Sequence, residues 1–369
     1  MKRILLFSFA VSVLSGIILL GNFIVYEALI LAFGVTSLSS SFILACVLTS
    51  FSLGFILVSI VSAWYYNFLT RFLYKILATW MGFFVYFFLA SVIFGIIVGI
   101  DDLVSPGAAH ASFGFTLFSM AFLAGLYGLI HARRIIINKI EPNISVPESW
   151  KGKTAVFVSD FHLGQVYGIS FVRQVVRTIE FLNPDIVFIG GDLYDGTTVP
   201  TEKIIEPLTL LRPALGIYFV SGNHEEFRDS SKFFSSIRSA GIEILDDRMV
   251  VVEGLQIIGV DYHNASDTKK FREILSSLSI NKNIPSILLK HEPKDLEVAQ
   301  EAGISFQISG HTHRGQQWPF GIIARLLYQG FEYGLKKFKT MRVYTSSGVG
   351  TWGPPIRVGT DSEIVLITF

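Results

Sequence analysis

Residues 4–26, 41–66, 76–100 and 111–132 form four continuous apolar runs. A helix needs roughly 20 mostly apolar residues to cross a bilayer, and each run reaches that length. A buried helix of a soluble protein is seldom apolar on every face for so long, and four in succession leave that alternative little room. The runs therefore predict an α-helical transmembrane region of four helices. Charge agrees: residues 1–132 contain four basic and three acidic side chains, whereas residues 133–369 contain 26 of each. The first run also has the look of a secretion signal. It outlasts the roughly 7–15 apolar residues of a signal core, however, and no small-x-small cleavage site stands out. We read it as a retained helix ended by Glu27, with residues 28–35 either a helical extension or an interfacial segment.

Basic residues set the orientation. Lys2 and Arg3 precede the first run, Arg71 and Lys75 join the second to the third, and Arg133, Arg134 and Lys139 follow the fourth. The connections at 27–40 and 101–110 contain no Lys or Arg, and the second carries Asp101 and Asp102. The positive side is expected to be cytoplasmic, which puts both termini and the polar half there and makes this a multi-pass integral membrane protein. No run has a charged residue at its centre. Intramembrane charge marks ion and substrate routes, so the runs read as an anchor and not a transporter. His131, near a helix end, reads as interfacial.

Residues 1–133 are thus expected to form the anchor, 134–152 a linker with a first strand, and 153–369 a soluble domain. Pro142, Pro147 and Gly152 punctuate the linker. The net charge of +1 offers no polyanion-binding surface, so no nucleic-acid partner is expected. The single cysteine, Cys46, excludes an intrachain disulfide and a cysteine zinc site.

In the polar half one pattern recurs five times: a short apolar run ends in a cluster of Asp, Asn or His. "AVFV" leads to Asp160 and His162, "DIVFIG" to Asp192, "GIYFVS" to Asn223 and His224, "SILL" to His291, and "SFQIS" to His311 and His313. Such runs read as buried strands. Between them lie helical patterns, one capped by Ser170 with Val172, Val175, Val176 and Ile179 on one face. Another is capped by Ser230, runs through Phe233, Phe234 and Ile237, and stops at Gly241. Alternating strands and helices predict an α/β layered domain, in which ligands bind beyond the carboxyl ends of the strands. The polar clusters occupy those ends.

Taken singly, each cluster is weak. Asp-x-His arises by chance, and Gly-Asp and Gly-Asn-His are ordinary turn material. His311-Thr312-His313 is stronger, because residues i and i+2 of a strand point the same way. Together they carry more weight, since five of the eight histidines fall in these clusters. Eight N/O side chains exceed what one tetrahedral zinc accepts and suit two metals sharing a carboxylate. Imidazole, carboxylate and amide oxygen favour Mn, Fe or Zn.

"SDFHLG", "GGDLYD", "GNHEE", "KHEP" and "GHTH", in this order, resemble the calcineurin-like metallophosphoesterase superfamily, and the closing "VYTSSGVGTWGPPIRVGTDSEIVLITF" resembles its membrane-anchored branch. The resemblance covers about residues 134–369. It implies a layered β-sandwich flanked by helices. It also implies two divalent ions, with Asp160, His162 and His313 holding one, Asn223, His291 and His311 the other, and Asp192 between them. His224 would not be a ligand but would donate to the leaving oxygen. The implied reaction is hydrolysis of a phosphomono- or diester by metal-activated hydroxide, with no covalent protein intermediate.

Other residues stay open. Asp195 could accept a hydrogen bond from a ligand histidine or cap a helix. Glu225 and Glu226 could do the same or be solvated, Asp261 is a turn residue or a support for the site, and His263 has no motif support. Arg314 stands where the family usually has glycine; a phosphate contact and a solvated surface role are both compatible with it. Residues 318–339 place Trp318, Phe320, Ile322, Ile323, Leu326 and Leu327 before Lys336, Lys337 and Lys339. This suits a helix packed on the domain's own sheet or a segment lying on an anionic leaflet. The leading expectation is a membrane-anchored dinuclear phosphoesterase working at the cytoplasmic face. A narrower alternative is a pyrophosphohydrolase of a lipid-linked intermediate such as UDP-diacylglucosamine. A non-catalytic sensor of a phosphorylated ligand is a third reading. Oligomeric state is not legible.

Overall fold

The computed structural model describes residues 2–104, 111–227 and 230–369, without the side chains of 2–8, 10, 104 and 227. The expected connection at 101–110 lies partly outside the described residues, as do the side chains of Lys2 and Arg3. The chain divides into two compact units: residues 1–130 with 353–356, and residues 131–352 with 357–369.

In the first unit the four apolar runs are helices α1 (Lys2–Phe33), α2 (Leu38–Ser62), α3 (Phe68–Val104) and α4 (Ala111–His131). Each is long and apolar enough to cross a membrane. Glu27 does not end α1: the helix runs on to Phe33, because nothing in Ala28–Phe33 breaks helical geometry and the apolar sequence continues. A polar bridge ties three helices together. Ser52 of α2 donates to Asn22 Oδ1 of α1 at 3.2 Å, and Trp80 Nε1 of α3 donates to Ser52 Oγ at 3.1 Å. In lipid such bonds serve as glue where hydrophobic burial gives no drive.

The second unit is a sandwich of two six-stranded sheets. Its strands are β1 (Ile135–Ile140), β2 (Thr154–Val158), β3 (Ile186–Ile189), β4 (Ile217–Phe219), β5 (Glu243–Ile244), β6 (Arg248–Val252), β7 (Leu255–Gly259), β8 (Ser286–Leu289), β9 (Phe306–Ser309), β10 (Gly334–Phe338), β11 (Met341–Thr345) and β12 (Ser362–Thr368). One sheet has the order β1-β12-β2-β3-β4-β5, the other β10-β11-β9-β8-β7-β6. The five expected strands are β2, β3, β4, β8 and β9. Within each sheet these run parallel, β2-β3-β4 in one and β8-β9 in the other.

Side-chain alternation builds the layers. Phe157, Phe188, Ile257, Leu289 and Ile308 meet between the sheets. Val156, Val158, Val187 and Ile189 face outward and are covered by α5 (Ile169–Leu182), α6 (Thr201–Ile205) and α7 (Ser231–Ser239). On the far side, Ile258 and Leu288 are covered by α9 (Thr268–Ser277) and α10 (Leu296–Glu301), with the short α8 (Tyr262–Ala265) beside them. A strand buried on both faces must be apolar at every position, which is why these runs do not alternate. The last helix is α11 (Phe320–Leu327).

Several local expectations hold and one changes. Val172, Val175, Val176 and Ile179 form the buried face of α5, but that helix starts one residue before Ser170 and Gly168 is its N-cap. Ser230 does occupy the N-cap of α7, in helical φ/ψ and without a side-chain hydrogen bond. His131 pairs with Asp361 at 2.9 Å.

Candidate metal centre

All eight motif residues follow the carboxyl ends of parallel strands: Asp160 and His162 after β2, Asp192 after β3, Asn223 and His224 after β4, His291 after β8, and His311 and His313 after β9. His311 and His313 are not on a strand, contrary to the alternation argument. β9 stops at Ser309, and both histidines have left-handed φ, 70° and 47°, around a right-handed Thr312. A tight turn, not a pleat, aims the two imidazoles inward. Asp160, His162 and Asp192 are also left-handed, at 57°, 48° and 51°. Each such non-glycine residue costs on the order of 1–3 kcal/mol, and strain of this kind clusters at functional sites. Gly191 is needed twice over: its φ is +92°, and a Cβ there would lie 2.5 Å from His291 Nδ1.

Among the described residues, three overlapping groups could each hold a metal ion: Asp160, His162 and His313; His162, Asp192 and His224; and Asp192, His291 and His311. The closest approaches are His162 Nε2 to His313 Nε2 at 3.0 Å and His291 Nε2 to His311 Nδ1 at 3.2 Å. Asp192 Oδ2 lies between these two pairs, 3.2 Å from His291 Nε2 and 3.8 Å from His162 Nε2. His313 Nε2 is 3.6 Å from Asp160 Oδ1. Among the described residues the buried Asn223 Oδ1 has no hydrogen-bond partner, a donor atom left for something else to satisfy.

Protonation in this cluster is uneven. Burial pushes His311 down to about 4, with the His291 charge adding to it, and burial and His162 hold His313 well below the usual range. Against burial, the Asp192 carboxylate lifts His291 to about 10. Burial likewise opposes the drop in Asp192, which the His291 charge holds well below the carboxylate range. So many facing donors cannot all be protonated, nor can all lone pairs face one another bare. Divalent cations resolve both, and this donor set fits them.

The surrounding groups fix which nitrogen points inward. His291 Nδ1 lies 2.7 Å from the Gly190 carbonyl and donates to it, so that Nε2 is the nitrogen facing Asp192 and His311. Glu292 Oε1 is 3.6 Å from His311 Nε2 and accepts from Tyr328 Oη at 3.0 Å. Asp195 Oδ1 stands between two rings, 3.4 Å from His162 Nδ1 and 3.7 Å from His224 Nδ1. His224 donates its backbone N–H to Asp192 Oδ1 at 2.9 Å. Burial and the His162 charge hold its imidazole below the ordinary histidine range. Trp352 is exposed, with its ring 6.2 Å from that of His224.

Glu225 is buried and not solvated: its oxygens accept from the backbone N–H of Asp192, Tyr194 and Gly222 at 3.0, 3.0 and 2.8 Å. Glu226 is exposed. Asp261 caps α8 and accepts from Ser221 Oγ at 3.2 Å. His263 lies 3.9 Å from Glu226 at the surface. Arg314 stacks on the Tyr333 ring at 4.4 Å. Sequence reasoning passed over Glu292, Tyr328, Trp352 and Arg357. Glu292 sits inside a motif and could have been singled out by its place after His291. The fully buried Arg357, which donates to the Ser347, Gly348 and Gly350 carbonyls, has no local signal.

The sequence pattern of the calcineurin-like phosphoesterase family matches residues 153–315. The transmembrane protein with metallophosphoesterase domain of Danio rerio is 32% identical over 280 residues, 70% of this chain and 63% of that protein. An uncharacterized metallophosphoesterase of Helicobacter pylori is 32% identical over 216 residues, 58% of each chain. Another, of Aquifex aeolicus, is 34% identical over 221 residues, 57% of this chain and 82% of that one. The matches thus span about three-fifths of the length of the first two relatives.

Proposed function

Because the chain belongs to the calcineurin-like metallophosphoesterase family, we propose that it hydrolyses a phosphate mono- or diester at a two-metal site on the cytoplasmic face of a membrane. The observation that carries this is the convergence of Asp160, His162, Asp192, His291, His311 and His313 on adjoining groups of metal-capable donors. In this reading Asp160, His162 and His313 hold one divalent ion of Mn, Fe or Zn. Asn223, His291 and His311 would hold the second, and Asp192, which lies between the two histidine pairs, would be shared. Bound there, two divalent ions would neutralise phosphoryl charge and supply a water acidic enough to attack near neutral pH.

The chain's own residues do the rest. Asp195 orients the imidazoles of His162 and His224 through their Nδ1 atoms, so that each presents Nε2 to the site. His224 then holds a proton on Nε2 for the leaving oxygen, an effect typically worth about 10²–10⁴-fold. The bound phosphoryl anion opposes the burial that depresses this imidazole. Glu225 holds the backbone on either side of the Asp192 carboxylate. The apolar segment beside the site favours a lipid-linked ester or pyrophosphate over a soluble one.

The test is hydrolysis of bis-p-nitrophenyl phosphate by the full chain in detergent, with manganese supplied. Asp192→Asn and His224→Ala should each reduce turnover by about 10²-fold or more. A protein that binds its metals and turns over no ester would instead be a sensor. Orientation is read separately with an impermeant maleimide on Cys46→Ser backgrounds: Thr36→Cys should label from outside intact cells and Ser279→Cys should not.

A further inference from the structure

Helix α11 has the sequence FGIIARLL and buries one side chain, Ala324. Phe320, Ile322, Ile323, Leu326 and Leu327 are all exposed, the last two at 74% and 67%. Single exposed apolar residues are ordinary, but a whole helix face of them marks an interaction surface. The structure therefore sets aside the expectation that this helix packs its apolar side on the domain's sheet.

Both ends of α11 abut the metal loops. At its start, a Cβ on Gly315 would lie 2.3 Å from Gly321 N, so the helix backbone touches the turn that carries His313. At its end, the C-cap Tyr328 bonds Glu292 and sets its ring 6.3 Å from that of His311. The patch also extends toward the mouth of the site. Trp318, 58% exposed, precedes the helix, and Gln316 is bonded to Trp352 N and O at 2.8 and 3.1 Å. Trp352, 59% exposed, in turn stands beside His224.

Charge selects the occupant. Residues 314–331 contain Arg314 and the exposed Arg325 and no acid. An apolar face flanked by tryptophan and basic residues suits the headgroup layer of an anionic bilayer. The chain carries four helices able to cross a membrane, so such a surface is always near.

We infer that the outer face of α11, with Trp318 and Trp352, inserts into the headgroup layer of an anionic lipid bilayer and draws phosphate esters carried at that surface to the metal site. The substrate half of this inference rests on the hydrolytic reading above; the docking half does not.

The test uses the full chain in liposomes, with nitroxide labels on Ile323→Cys and Leu326→Cys in a Cys46→Ser background. Power saturation compares oxygen, which enters the bilayer, with a nickel chelate, which does not. In phosphatidylcholine containing phosphatidylglycerol, both labels should favour oxygen at a depth of about 5–10 Å. A label on Phe181→Cys, exposed on α5, should read as aqueous. Aqueous readings at 323 and 326, or shielding from both reagents as under a second copy or another protein, would overturn docking. Equal insertion in phosphatidylcholine alone would overturn the anionic surface.

Two substrates then test the other half. With Ile323→Asp and Leu326→Asp combined, hydrolysis of vesicle-borne phosphatidic acid should fall about tenfold or more relative to bis-p-nitrophenyl phosphate, because insertion no longer concentrates the ester at the site. Equal rates on both would overturn the substrate half. An unsubstituted protein inactive on both esters would refute the hydrolytic reading while the depth measurement still decides docking.

Discussion

Gly222 offers the sharpest test of how the candidate site is built. Its φ is not in the left-handed region, so the backbone tolerates any residue there. Space alone requires glycine: a Cβ would lie 2.2 Å from Asp192 Oδ1 and 2.6 Å from Asp192 N. Ordinary contacts to a Cβ begin near 3.4 Å. Gly222→Ala must therefore move the carboxylate or the loop by about 1 Å, since close-packed interiors leave no slack. The carboxylate cannot swing away freely, because Oδ1 accepts the His224 backbone N–H and Oδ2 faces His291. Overpacking of this kind costs about 1–3 kcal/mol. In a domain of this size that lowers Tm by about 2–12 °C, which leaves the protein folded. The functional loss should be larger: a misplacement of about 1 Å can cost about 10²-fold in turnover. The assay is metal content per chain and hydrolysis by the detergent-purified protein, with Gly95→Ala, where an added methyl meets nothing, as control. Two tightly bound metals and unchanged turnover in Gly222→Ala would show that Asp192 is not where this chemistry happens.

Three further outcomes follow from other contacts. Tyr328→Phe removes the bond that holds Glu292 beside His311, and should weaken binding of one of two metals by about tenfold, read by chelator competition; equal affinities would refute the orienting role. Burial, reinforced by the Asp261 charge, raises the Asp246 carboxyl to about 7, although the Ser221 N–H it accepts works the other way. Its folded-state value exceeds the ordinary 3.8, so its stabilising contribution is complete below that and is lost as pH rises through about 7. Thermal stability should thus fall between about pH 4 and 7, and Asp246→Asn should flatten that fall; an unchanged slope would count against it. Ser52→Ala severs both hydrogen bonds that join α1, α2 and α3 and should cost about 0.6–2 kcal/mol against denaturation in detergent, no effect being the contrary result.

Features that depend on a single stretch of chain were legible without coordinates. A bilayer's thickness turns into a count of apolar residues, so the four long helices could be read directly, although the end of α1 could not: Glu27 looked like a boundary and the helix runs to Phe33. Strands buried on both faces must be apolar throughout, so β2, β3, β4, β8 and β9 were equally plain. The polar clusters after them located the candidate site, because loops at strand ends are where a layered domain exposes chemistry.

What the chain's local pattern left open was everything set by distant partners. His311 and His313 suggested an extended strand, yet left-handed turns bring them in, since the ladder of β9 ends two residues before His311. Glu225 could have supported the site or been solvated; the N–H groups of Asp192 and Tyr194, more than thirty residues earlier, surround it and decide the matter. Arg357 draws its partners from a loop that folds back over it, and no periodicity announces that. The segment from Trp318 to Leu327 was apolar on any reading; only packing could decide which faces were covered. It covers Ala324 and leaves the rest of the helix open beside the metal loops, and composition cannot specify that, because the same side chains would serve a core equally well.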